Sequence, residues 1–203
     1  MVAFNRKERD RYIRREDILN AAGELFALKG YHGTTIRDIA KEAQYATGTV
    51  YLEFPDKETL YVEMFKSKFQ RLLSMLKTRI PGGAKARVKL RFFIEYNMDY
   101  FVRNRNFFRL LTSEDGFFLE AGLFKNSMGK PYTEYAASLI KQAQEEGIVG
   151  REFKQKDITE MFLAILVTFM INMVKSNKQI SDKEEASLCD TIYKFLLLGS
   201  KNK

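Results

Sequence analysis

Thr47, Gly48, Thr49 and Tyr51 stand within one short stretch of "YATGTVYLEFPDKETLY", residues 45–61. Short hydroxyl side chains donate and accept hydrogen bonds at close range, a phenol donates to a phosphate oxygen, and glycine lets backbone approach a phosphate. A helix built only to fill a core has no need of three small polar residues in its first turn. Pro55 and Asp56 interrupt the segment. Asp56 can cap a further helix whose first turn contains Lys57, a cation beside backbone N–H groups that favour anions. These residue types point to non-covalent recognition of a polyanion.

Catalytic chemistry finds little support. The chain has one histidine, His32, and one cysteine, Cys189. A lone cysteine excludes a disulfide framework and a cysteine-rich metal site, and a lone histidine leaves little room for triad or metal chemistry. There is no phosphate-loop glycine pattern, no paired carboxylates around a site and no nucleophile–base constellation. No catalytic residue, metal or cofactor is therefore expected. The N-terminal residues are charged without an apolar core, unlike a secretory signal. The longest uncharged apolar run, residues 161–174, has 14 residues, short of the ~18–20 that cross a bilayer. A cytoplasmic protein without a membrane role is the expectation.

The elements that must position the polar stretch are helical. With 203 residues, 45% of them hydrophobic, and only 3 prolines, the chain can bury a substantial core. No segment alternates in the manner of a strand, so the fold class is all-α. Ile18, Ala21, Ala22, Leu25 and Phe26 share one helical face, and Gly30 stands where a glycine closes a helix. Thr35 and Asp38 have capping-box spacing ahead of Ile36, Ile39 and Ala40. From Asp56 a long helix runs toward Ile80 with an apolar stripe from Leu60 to Leu76. Further helices are expected at about 85–102, 132–146, 157–175 and 182–198, the last opened by Ser181 and Glu184 at capping-box spacing. Residues 103–131 read as one or two short helices with loops.

The formal charge is +8, distributed unevenly. Residues 1–60 carry 10 basic and 10 acidic side chains, whereas residues 61–90 carry 8 basic and 1 acidic. Within the first unit, residues 6–15 hold 6 basic against 2 acidic side chains. That run suits either a mobile arm on phosphates or a solvated helix face.

Residues 35–54 combine a short helix, a tight turn at Gln44–Ala46 and a second short helix, a helix-turn-helix. Ala40 is small where the helices cross, and Ile39, Ala43, Tyr45, Val50 and Phe54 can form the shared core. Thr47, Gly48, Thr49, Tyr51 and Leu52 remain on the exposed side, where such a helix meets base edges and phosphates in a major groove.

From Ile18 to Tyr61 the sequence resembles the TetR family of bacterial transcriptional repressors. The shared pattern is an amphipathic first helix, Gly-aromatic, a Thr pair, Ile-Ala, a small turn, Gly-Thr-aliphatic-Tyr, then Phe-x-x-Lys-Glu-x-Leu. The resemblance implies a three-helix DNA-binding domain at residues 1–60 and a larger effector-binding and dimerisation domain at 61–203. It implies DNA contacts from Thr34, Thr35, Arg37, Thr47, Thr49, Tyr51 and Lys57, with close backbone approach at Gly48. Three positions depart from the pattern. Gln44 replaces a turn glycine, Thr47 stands where a basic residue is common, and Glu53 stands where histidine is common. A carboxylate near phosphates repels them, so Glu53 is expected to face Lys or Arg within the protein.

Twelve of the 27 aromatic residues lie within residues 92–135, suited to plain core or to the wall of an apolar pocket. The family resemblance favours a pocket; Phe93, Tyr96, Tyr100, Phe107, Phe108 and Phe118 are the candidate lining. The last two helices are apolar around most of their circumference. Phe162, Ile165, Phe169, Ile192 and Phe195 are the candidate surface of a homodimer, which would hold paired recognition helices about one DNA turn apart. The expectation is a one-component repressor on palindromic double-stranded operator DNA, released by an apolar or amphipathic small molecule that tilts the helix from Asp56. A ligand-binding helical protein with a weakened DNA motif is the alternative, followed by an enzyme using the aromatic cavity. A membrane-surface role for the basic segment 61–90 is a third.

Overall fold

Helix α1, Arg6–Lys29, starts at Asn5, whose side chain accepts from the Glu8 amide at 2.9 Å while the Glu8 carboxylate accepts from the Asn5 amide at 3.0 Å. This reciprocal cap satisfies two backbone donors at once. Residues 6–15 are consequently helical, and of the two readings of that basic run the mobile arm is overturned. The helix closes at Gly30, where φ is 74° and the amide donates to the Phe26 carbonyl. These details come from a computed structural model that describes residues 5–112, 129–175 and 181–197.

Helix α2, Ile36–Glu42, opens with the Thr35–Asp38 capping box, and the shorter aspartate closes it at 3.1 Å. Helix α3, Thr47–Glu53, follows the turn. Asp56 caps helix α4, Lys57–Arg79, by accepting from the Thr59 amide at 2.6 Å. Twenty-three residues make α4 roughly 34 Å long. Its buried stripe of Leu60, Met64, Phe65, Phe69, Leu72 and Leu76 runs its whole length. The chain continues through α5 (Ala86–Arg103), α6 (Arg105–Thr112), α7 (Lys130–Glu145), α8 (Gln155–Lys175) and α9 (Asp182–Leu197). No strand occurs among the described residues, and the fold is all-α.

Helices α1 and α4 pack along each other, with Gly23 lying 3.3 Å from the Met64 sulfur when a Cβ is built on it. Helix α5 is central to the larger unit, packing on α4, α7, α8 and α9, while α6 bridges α1 and α8. The first helix therefore touches both the helix-turn-helix and the body of the protein. Ser181 and Glu184 form the expected cap on α9. Among the described residues, no helix is long and apolar enough to cross a membrane.

Candidate nucleic-acid interface

The turn between α2 and α3 is tied down at several points. Gln44 has φ 60°, the left-handed conformation that glycine would adopt without cost. The Tyr45 amide donates to the Ala40 carbonyl at 2.9 Å, and its phenol donates to Asp17 of α1 at 2.9 Å. Ile39, Val50 and Phe54 are fully buried beneath the two helices, with Ala43 and Tyr45 packed at their margin.

Above that core α3 presents Thr47, Gly48, Tyr51 and Leu52 to solvent, with Thr49 half-buried. Tyr51 is 53% and Leu52 83% exposed. A Cβ built on Gly48 would meet no atom within 4 Å, so packing inside the chain does not call for glycine there. Ala46 contributes no side-chain cap. The face is polar, small and open, with one large apolar side chain, Leu52, of the kind that packs on a thymine methyl group.

The other residues implied by resemblance divide. Thr35 and Arg37 are exposed beside this face, although the Thr35 hydroxyl is already engaged with the Asp38 carboxylate at 2.7 Å. That hydrogen bond holds the Asp38 carboxyl below its ordinary range. Lys57 donates to the carbonyls of Tyr31 at 2.9 Å and Thr34 at 3.0 Å and lies 4.2 Å from the Tyr31 ring centroid. Its ammonium thus braces the loop before α2 and keeps a third donor for a phosphate. Thr34 is a correction: it is fully buried, and its hydroxyl donates to the Leu25 carbonyl at 3.2 Å and the Gly30 carbonyl at 2.8 Å. Its side chain closes the α1–α2 corner and cannot reach DNA.

Glu53 meets arginine, as its position demands. Its side chain is 3% exposed and receives Arg14 at 2.6 Å, Arg11 at 3.1 Å and Arg15 at 3.6 Å. Arg15 also donates to the Glu53 backbone carbonyl at 2.8 Å, closing the C-terminal end of α3, and lies 4.3 Å from the Phe54 ring centroid. Burial raises the Glu53 pKa; the hydrogen bonds and charges of Arg14 and Arg11 outweigh it and hold the carboxyl below its ordinary range. Three cations on one carboxylate leave this corner of the interface net positive. These arginines were not among the residues singled out from sequence, where they appear only as a basic run.

The aromatic candidates are core and rim. Phe93 is fully buried and packs on Tyr132, Tyr135 and Phe162; Phe107 and Phe108 join Phe65, Phe69, Tyr100 and Phe101. Tyr96 and Tyr100 line a cleft of about 530 Å³ between α4 and α5. Phe118 lies outside the described residues. A buried polar pair crosses this core: Tyr132 donates to Asn97 at 2.6 Å, and Asn97 donates to the Phe93 carbonyl at 2.6 Å.

The candidate dimer surface needs two corrections. Phe162 and Ile192 are each 1% exposed within the single chain, committed to its own core against α5. Phe195, 55% exposed, and the half-buried Ile165 and Phe169 remain on the outer faces of α8 and α9, joined by Met161 at 56%.

Residues 18–64 match the family of bacterial regulatory proteins called the tetR family. The chain is 32% identical over 101 residues to the fatty acid metabolism regulator protein of Bacillus subtilis, covering 50% of each. The match spans 50% of that relative's length and 40% of the length of a second Bacillus subtilis relative, the transcriptional regulator YuxN. Two solved structures share its shape. The fatty acid degradation regulator FadR of Bacillus halodurans superposes with a TM-score of 0.81 at 22% identity, over 94% of this chain and 97% of that one. FadR of Bacillus subtilis in complex with stearoyl-CoA superposes with a TM-score of 0.78, also at 22% identity, over 91% and 98%. At such identity the likeness establishes the fold, while the sequence match falls on the segment that builds the helix-turn-helix and its braces: it is residues 18–64 that match the tetR family of bacterial regulatory proteins.

Proposed function

We propose that this protein is a cytoplasmic, one-component transcriptional repressor. It binds palindromic operator DNA as a homodimer and is released by an amphipathic small molecule. The observation that supports this most directly is the open Thr47–Gly48–Thr49–Tyr51 face of α3, held from behind by Arg14 and Arg15 through Glu53. Its small polar side chains and unpacked glycine suit a groove lined by phosphates and base edges. The alternative of a weakened DNA motif drew support from Gln44, Thr47 and Glu53, and the arginines that neutralise Glu53 remove that part of it.

For the effector, the stearoyl-CoA in the Bacillus subtilis FadR complex suggests a long-chain acyl thioester. An aromatic interior beside an open basic cleft suits a molecule with an apolar tail and an anionic end. Helices α1 and α4 connect that region to the recognition helix, so a ligand that favours one packing of α4 would shift the spacing of the two recognition helices.

The test is selection and sequencing of genomic fragments bound by the purified protein, at two salt concentrations, followed by titration with stearoyl-CoA. A palindrome bound with steep salt dependence and released by the thioester is the expected result. Weak, sequence-blind binding would overturn the repressor reading.

A further inference from the structure

The basic segment 61–90 has no part in the helix-turn-helix, yet its side chains converge. Lys68, Arg71 and Arg79 of α4 line the cleft shared with Tyr96, Tyr100 and Arg103 of α5. Among the described residues Asp99 is its only lining carboxylate, and it is already held by Arg103 at 2.6 Å. A second depression of about 1020 Å³, bounded by α1 and the start of α6, continues from it through Lys68, Arg103 and Asn104.

The cations here are poorly compensated. Among the described residues, Lys68, Arg71 and Arg79 form no ion pair. The Lys68 ammonium has Asn20 as its hydrogen-bond partner, at 3.3 Å. Burial and then the Arg71 charge pull its pKa down, against Glu16 and Glu24, which pull it up. Like charges gathered on a partly desolvated lysine oppose folding, so a bound anion would relieve them. Arg79 also lies 5.6 Å from the Tyr96 ring centroid, a planar cation on a planar wall.

The cleft has an apolar back. Tyr100 donates to the Lys68 carbonyl at 3.3 Å, and its ring stands 6.1 Å from that of Phe108, inside the aromatic core. Tyr96 contacts the Met75 sulfur at 2.9 Å. A ligand in this cleft is thus one ring away from the interior.

We propose that the α4–α5 cleft is a phosphate subsite: Lys68, Arg71 and Arg79 take the multiply charged phosphate end of the effector, whose apolar part lies toward the aromatic interior. The inference rests on the effector reading above for the apolar part alone; the anion site stands on its own cations. An occupant there bridges α4 to α5 beside the α1–α6 contact, the junction between the DNA-reading helices and the body.

The test compares the full chain with the Arg71→Gln/Arg79→Gln variant, both side chains being exposed and outside the DNA-reading face. Coenzyme A alone, inorganic pyrophosphate, stearate and stearoyl-CoA are titrated calorimetrically at two salt concentrations. The wild type is expected to bind coenzyme A in a salt-dependent manner, and the variant at least tenfold more weakly, with the same loss for stearoyl-CoA and none for stearate. Pyrophosphate binding that falls equally would assign the site to phosphate in general, and its absence to the larger coenzyme; both keep the subsite. Lys68→Met, which retains the aliphatic stem, is expected to reproduce the loss. Coenzyme A binding equal in wild type and variants, or absent from the wild type, would overturn the proposal. So would a variant whose operator affinity falls with a shallower salt slope in the absence of small molecules, since the cleft would then serve DNA. If stearoyl-CoA leaves the operator bound while the coenzyme A loss persists, the effector reading fails and the subsite stands.

Discussion

The Glu53 carboxylate accepts the Arg14 guanidinium at 2.6 and 3.0 Å, joining the last residue of the recognition helix to the first helix across 39 residues of sequence. The pair turns an acidic residue, unwelcome near phosphates, into the anchor of three arginines. Removing the carboxylate by Glu53→Ala leaves those cations facing one another around a vacated, nearly buried site. Losing one partner of a buried pair costs several kcal/mol, but Arg11 is largely exposed, so a loss of about 2 kcal/mol is the discounted expectation. The carboxyl is held below its ordinary range, so its contribution is complete above roughly pH 4–4.5 and disappears as pH falls through the lowered value. Urea unfolding of wild type and variant at pH 7 and at successively lower pH checks both points. A stability gap that did not narrow on acidification would sink the electrostatic account.

Gly48 separates folding from recognition. Its built Cβ meets nothing within 4 Å, so Gly48→Ala is tolerated by the chain and gains helix propensity of about 0.5 kcal/mol near a helix start. If glycine is there for backbone approach to a phosphate, operator affinity falls by roughly tenfold, about 1.4 kcal/mol. Thermal unfolding and fluorescence anisotropy on the selected operator read the two effects. A variant that is both more stable and equally tight would show that the glycine has no role at the DNA.

The helix-turn-helix was legible in the sequence because its signals are local. Thr35 and Asp38 are three residues apart, Ile36, Ile39 and Ala40 recur at helical spacing, and the exposed Thr-Gly-Thr-x-Tyr face contradicts a purely buried role. The inward turn of Thr34 was not legible, because a threonine reads alike whether it donates to a carbonyl nine residues earlier or to a phosphate. Arg11, Arg14 and Arg15 escaped for a related reason. A basic run predicts a solvated face, and only the fold shows which of its members meet Glu53. Phe162 and Ile192 failed as dimer residues because an all-round apolar helix does not declare which side its own core takes. The phosphate cleft combines cations from α4 and α5 that sequence shows only as excess charge.

Gln44 occupies a conformation with φ 60°. A non-glycine residue there costs roughly 1–2 kcal/mol, and glycine recovers part of it after its greater freedom in the unfolded chain is counted. Gln44→Gly is therefore expected to raise stability by about 0.5–1 kcal/mol, with operator affinity unchanged because Gln44 precedes the recognition helix. Denaturant titration and anisotropy decide the matter. A loss of stability would mean that the glutamine side chain contributes more than its backbone costs.

Phe195 presents 55% of its surface to solvent on α9, and Ile165 and Phe169 of α8 are half-buried. Large aromatic side chains left outside a core are most readily covered by another protein surface. If the cover is a second copy, Phe195→Glu places a charge on each side of a two-fold interface, where it meets apolar surface and its own symmetry mate. The variant is expected to be monomeric by light scattering at micromolar concentration while its helical circular dichroism spectrum is retained. Its operator affinity then falls by at least a hundredfold, since a monomer holds one half-site at a time. An undisturbed dimer would move the interface elsewhere, and Met161→Glu on the outer face of α8 would be the discriminating second variant.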